Sequence, residues 1–236
     1  YGKIDKEVLL PLDVTTTEGG CIVTNEQISR LVELQPERLI GFASVDPNRE
    51  DAIEVLKDAF EKLNLKGLKL NPSKQKFYPM DKKVQPIYEL CEKMNKPIIF
   101  HAGMSWEPDT PAKYSHPLEF EEIFIKYPKL RCCLAHFAWP WVREMCMLML
   151  KYPNVYTDTS VLYLDSPEES IYRLFCTDMG EHWSERAFAK QIMFASNTPR
   201  FRAFKIRRSI EKLPIKDSVK ENILGKNAER FLGMVE

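Results

Sequence analysis

Short apolar segments alternate with amphipathic ones along this chain, and three of the apolar segments end on polar residues able to do chemistry. "PIIFHAG" ends on His101, "LRCCLAHF" on His136 and "QIMFASNTP" on Asn197. Seven strand-then-helix units follow one another. In a ring of parallel strands each unit delivers the residue at its strand's C-terminal end to one common mouth. That constraint brings together groups lying far apart in the sequence, and it makes a site.

The segments can be placed in order. Strand one of the chain is expected over Glu7–Leu12. Thr24 and Gln27 form a capping box for a helix running to about Gln35. "RLIGFASVD" is the second strand, and Asn48 is placed to cap the helix after it. "KGLKLNP" is the third strand, followed by a helix expected from Asp81 to near Asn95, just before Pro97. "PIIFHAG", "LRCCLAHF", "NVYTDTS" and "QIMFASN" complete the set. The strands are rich in Val, Ile, Leu and Phe, as in parallel sheets buried on both faces. No linker or shift of composition divides residues 1–236, which read as one domain. An open doubly wound sheet would also hold seven strands, but it would usually carry a Gly-rich phosphate turn after its first. "LPLDVTTTEGG" is not one. A (β/α)8 TIM-like barrel is therefore expected, with its first strand absent from the chain as given. The opening Tyr1, almost directly before a strand, fits something having preceded it.

Charge and composition narrow the function. The 34 basic and 34 acidic residues cancel, so no field draws nucleic acid or an anionic membrane. The longest apolar runs fall far short of the ~20 residues that span a bilayer. None of the six cysteines forms a C-x-x-C pair. Adjacent Cys132 and Cys133 point to opposite strand faces and suit packing better than zinc. Reduced thiols point to the cytoplasm. A small-molecule substrate is the expected partner, with a homodimer as the default for a barrel.

At the expected mouth, His101 and His136 can bind a divalent metal or exchange protons. Neither His116, before a helix-starting proline, nor His182, in a polar loop, closes a strand. Lys69, between Leu68 and Leu70, faces the interior if those leucines face the helices. It then either binds a substrate carboxylate or pairs with an interior acid, for which Asp158 is placed. Trp106, Phe137, Trp139 and Trp141 supply either an apolar wall for a planar substrate or loop packing. Arg200 and Arg202 either hold a carboxylate or lie in solvent.

The motifs "RLIGFASVDP", "GLKLNP", "PIIFHAG", "LAHFAWPWV", "KYPNVYTDTS", "IMFASNTPRF" and "ILGKNAERFLG", in this order from about Ile4 to Gly233, resemble the amidohydrolase-related family of metal-dependent TIM-barrel hydrolases and decarboxylases. The resemblance implies a metal at the C-terminal mouth, most plausibly zinc. It places His101 at the middle-strand ligand, His136 at the later histidine serving as acid/base, and Asn197 where the family has a metal-binding and catalytic aspartate. Two departures stand out. The family's H-x-H pair is absent, in keeping with a missing first strand. Asn197 is neutral and is not a base, which weakens a metal-activated water. The implied activity is metal-dependent hydrolysis of a small carboxylic acid, lactone or amide. The alternatives are decarboxylation of an aromatic or unsaturated acid, and a non-catalytic small-molecule-binding barrel with a degraded metal site.

Overall fold

The computed structural model describes residues 4–160, 166–180 and 182–235. Ten strands occur among them: β1 (Glu7–Leu9), β2 (Asp13–Val14), β3 (Gly20–Cys21), β4 (Leu39–Gly41), β5 (Ala43–Ser44), β6 (Leu68–Leu70), β7 (Ile98–Phe100), β8 (Cys132–Leu134), β9 (Val155–Asp158) and β10 (Ile192–Met193). β5 to β10 form one parallel sheet in sequence order, and β4 pairs parallel with β1. β4 and β5 are one strand broken at Phe42. The Phe42 N–H donates to Leu9 O at 3.0 Å and the Ala43 N–H to Gly67 O at 2.8 Å, so the strand changes partner there. Seven positions of a (β/α)8 barrel are thus filled by described residues. β1 and β10 are not paired with each other, and a cavity opens between them.

Register explains the two cores. Lys69, Ile99, Cys133 and Tyr156 lie side by side across β6 to β9. Side chains alternate across a strand, so their neighbours face the other way. Leu68, Ile98, Cys132 and Val155 pack against the helices in the large outer core. Ile99, Cys133, Tyr156 and Met193 pack with Phe42, Ala135 and Phe231 in a smaller inner one. Cys132 and Cys133 therefore do divide between the faces.

The local signals met mixed outcomes. Thr24 caps the helix Asn25–Leu34 as expected: its hydroxyl accepts from the Gln27 N–H at 3.2 Å, and Gln27 Oε1 accepts from the Thr24 N–H at 2.9 Å. The first strand stops at Leu9 rather than Leu12, since Pro11 has no N–H for a ladder. Asn48 caps no helix; its amide donates to Asp46 Oδ1 and Gln75 O, and the next helix is Ala52–Glu61. Asp81 accepts the Tyr78 N–H at 2.9 Å in a turn, and the helix begins later, at Gln85.

Candidate active site

β7 ends at Phe100 and β8 at Leu134, so His101 and Ala135 are the next inward-facing positions above Ile99 and Cys133. His136 follows Ala135 on a left-handed stretch: φ is 63° at His136, 50° at Phe137 and 49° at Ala138. This conformation costs a non-glycine residue roughly 1–2 kcal/mol, and such strain gathers at functional sites. It turns the His136 ring back toward His101, and the ring centroids lie 5.0 Å apart in an edge-on pair. Gly103 lets the two histidine loops meet. Its φ is +86°, and a Cβ there would fall 2.3 Å from Trp139 O.

Both rings are held by serines. Ser105 Oγ meets His101 Nε2 at 2.8 Å. Ser160 Oγ hydrogen-bonds His136 Nδ1. Behind Ser160 stands Asp158, whose Oδ1 accepts from the Ser160 hydroxyl, the Ser160 N–H at 3.0 Å and the His136 N–H at 3.0 Å. Burial holds the His101 imidazole well below the ordinary histidine range, helped by neighbouring His136 and Lys69. Burial likewise brings His136 down to about 3, with the Lys69 charge adding to the effect. Both shifts favour the neutral ring.

Lys69 does face the interior, flanked by buried Leu68 and Leu70. Burial lowers its ammonium to about 8, opposed by Asp158, which acts across the cavity without closing an ion pair. Lys69, His101, His136, Asp158, Ser160, Asn197, Trp106 and Arg200 line the same cavity of 1530 Å³. Arg200 lies over the Trp106 ring at 5.3 Å, and Trp106 is 54% exposed at the rim. Asn197 sits on the exposed loop after β10 at a left-handed φ of 55°, a conformation asparagine tolerates.

Trp139 is not in this lining; it packs against the outer core. His116 stacks on Trp141 at 4.5 Å and accepts the Leu118 N–H. His182 precedes the short helix Trp183–Arg186. Neither of these two histidines reaches the cavity. Sequence reasoning missed Ser105 and Ser160. Ser160 was within reach, because Asp158 and Ser160 share a face at the end of a strand.

A catalytic metal usually takes at least three protein ligands. Among the described residues no three His, Cys, Asp and Glu side chains converge as a metal-holding group. His101 Nε2 and His136 Nδ1 are already engaged by Ser105 and Ser160. The described residues do not make a metal site by themselves.

A parallel βα barrel whose polar groups all gather at the C-terminal ends of its strands is the architecture of a mouth-active barrel protein. The chain belongs to the amidohydrolase family, whose model matches residues 4–234. Protein fluG of Emericella nidulans is 32% identical over 69 residues, covering 29% of this chain and 8% of its own length. The 2-amino-3-carboxymuconate-6-semialdehyde decarboxylase of Dictyostelium discoideum is 25% identical over 128 residues, covering 48% of this chain and 36% of its own. The chain thus spans well under half the length of these curated relatives. An uncharacterized TIM-barrel protein from Bordetella bronchiseptica superposes with a TM-score of 0.80 at 20% identity, over 97% of this chain and 78% of that one. A dihydroxybenzoic acid decarboxylase from Polaromonas sp. JS666, solved with bound manganese and the inhibitor 2-nitroresorcinol, gives 0.67 at 18% identity, over 98% and 80%. Among the described residues no helix is long and apolar enough to cross a membrane.

Proposed function

We propose that this chain carries the substrate cavity and proton-transfer group of a decarboxylase acting on a small aromatic or unsaturated carboxylic acid. The observation that carries the reading is the pairing of a serine-held His136 with a half-buried Lys69 in one cavity. Three donors meet Asp158 Oδ1, its Oδ2 has the Cys133 thiol at 3.9 Å, and Asn197 is an amide. Attack by water on a carbonyl needs a group to take the water's proton. Loss of carbon dioxide needs instead a cation to hold the carboxylate and an acid to protonate the carbon left behind. Lys69 and Arg200 supply the charge, and Trp106 a face for a planar ring.

The proton balance is simple. The carbon–carboxylate bond breaks, its electron pair stays on carbon, and carbon dioxide departs. That carbon takes a proton from His136, and solvent returns one to the ring. The substrate anion itself charges His136, because a negative group nearby favours imidazolium and offsets both burial and Lys69. The curated decarboxylase relative supports this choice over hydrolysis. No step here passes through a metal; manganese, present in the Polaromonas structure, is the ion to supply first to the whole protein.

The test is carbon dioxide release by the whole, manganese-supplemented protein from a panel of aromatic and unsaturated acids. Lactones and amides are offered in parallel. Release is expected from at least one acid and is abolished in His136→Gln, which keeps binding the acid. Hydrolysis of a lactone or amide without carbon dioxide release would reject the reading. Binding of acids without any turnover would favour a binding barrel, a reading that the absence of three converging ligands among the described residues supports.

A further inference from the structure

We infer that Ser160, backed by Asp158, is a positioning residue that fixes His136 as its Nδ1–H tautomer and leaves Nε2 bare toward the cavity. The assignment follows from counting hydrogens. Asp158 Oδ1 accepts two backbone N–H groups, from His136 and Ser160, each at 3.0 Å. Backbone N–H groups only donate, so this oxygen carries no proton of its own. The Ser160 hydroxyl also contacts Oδ1, and the hydroxyl must therefore donate there. A serine has a single O–H. Once it is spent on Asp158, the oxygen can only accept from His136, so Nδ1 bears the hydrogen.

A second contact points the same way. The Ser160 carbonyl oxygen lies 3.4 Å from His136 Nδ1, and a carbonyl only accepts. Both groups facing Nδ1 thus require a donor there. The arrangement is locked by its surroundings. Asp158 ends β9, and Thr159 beyond it ties that strand end to the loop after β10: the Thr159 N–H donates to Met193 O, and its hydroxyl both donates to Ala195 O and accepts the Ala195 N–H. Ser160 and Asp158 are both buried. An imidazole held by one nitrogen presents the other in a fixed direction. Nε2 is then the atom that takes up and hands over the proton.

This inference rests on the decarboxylase reading for its catalytic meaning, but not for its principal measurement. Histidine nitrogens are distinguishable by 15N NMR, as a hydrogen-bearing or a bare ring nitrogen. The spectrum is recorded on the whole protein labelled with [15N]histidine, with zinc in place of any paramagnetic ion. The His136 signal is identified by its loss in His136→Gln. Nδ1–H with bare or zinc-bound Nε2 is expected. In Ser160→Ala the Nδ1–H fraction should fall, because the Ser160 carbonyl that remains, at 3.4 Å, is the weaker of the two acceptors, and in Ser160→Thr, which restores a hydroxyl, it should recover. Where turnover is measurable, Ser160→Ala should lower kcat roughly tenfold or more with little change in KM. An Nε2–H tautomer in the unaltered protein, or an unchanged tautomer ratio in Ser160→Ala, would overturn the inference. If no acid is decarboxylated, the functional reading fails while the tautomer result still decides this one.

Discussion

Gly103→Ala puts the closest contact of the candidate site to a quantitative test. Gly103 has a φ of +86°, and a Cβ at this position would meet Trp139 O at 2.3 Å, Ala138 C at 2.7 Å and Trp139 N at 2.9 Å. All three are backbone atoms, so no side chain can swing aside. The neighbourhood is also tied down: the Gly103 N–H donates to Ser115 O at 2.8 Å, the Met104 N–H to Trp139 O at 2.9 Å, and the Ser115 hydroxyl to Gly103 O at 2.6 Å. Two costs add. The left-handed conformation costs alanine about 1–2 kcal/mol, and forcing atoms into a packed site adds about 1–3 kcal/mol. The expected loss is therefore about 2–5 kcal/mol. Gly19 provides the control, with a φ of +80° and nothing within 4 Å of its Cβ position. Gly19→Ala should show the conformational cost alone. Urea denaturation of both variants at pH 7 measures the difference. Equal losses would refute the claim that the two histidine loops are in contact through this glycine.

Three further outcomes are expected. Lys69 is lowered from 10.5 to about 8 by burial. Below about 8 both folded and unfolded chains are protonated there, and the folded one bears a cost of roughly 3 kcal/mol. Between about 8 and 10.5 only the unfolded chain holds the proton, so this contribution makes stability rise with pH. Lys69→Met should be more stable at pH 7 and lack that rise; a parallel pH dependence in denaturant titrations would contradict it. Asn197→Asp adds a negative charge to the rim of the cavity and should tighten metal binding by the whole protein at least about tenfold, read by chelator competition. Finally, Cys91, Cys132, Cys133 and Cys146 are buried with their thiols pushed up by burial, whereas Cys21 is exposed. A thiol reagent should modify Cys21 in the native protein and reach the four buried thiols only on unfolding; prompt native labelling of Cys133 would place it outside the inner core.

The order of the parallel strands, the inward Lys69 and the convergence of His101 and His136 were all legible from period and position. Those signals are local and repeat along the chain. What was not legible depends on neighbours distant in sequence. Asn48 reads as a helix cap because its short amide suits one, but Asp46 and Gln75 O claim it instead. Trp139 reads as a cavity wall, yet the left-handed run from His136 to Ala138 carries it toward the outer core. Ser105 and Ser160 are ordinary loop residues until the fold sets a ring nitrogen beside each hydroxyl.

The cavity between β1 and β10 has walls of two kinds. Ile40, Phe42, Met193 and Phe231 supply greasy surface, while Lys69, Arg200 and the two imidazoles supply wet and ionic surface. A molecule with a hydrocarbon end and an acid end has one comfortable way to sit, acid toward the cations. The wall thus acts as a compass before any single contact forms, and a guest lacking one of its two poles loses its bearing.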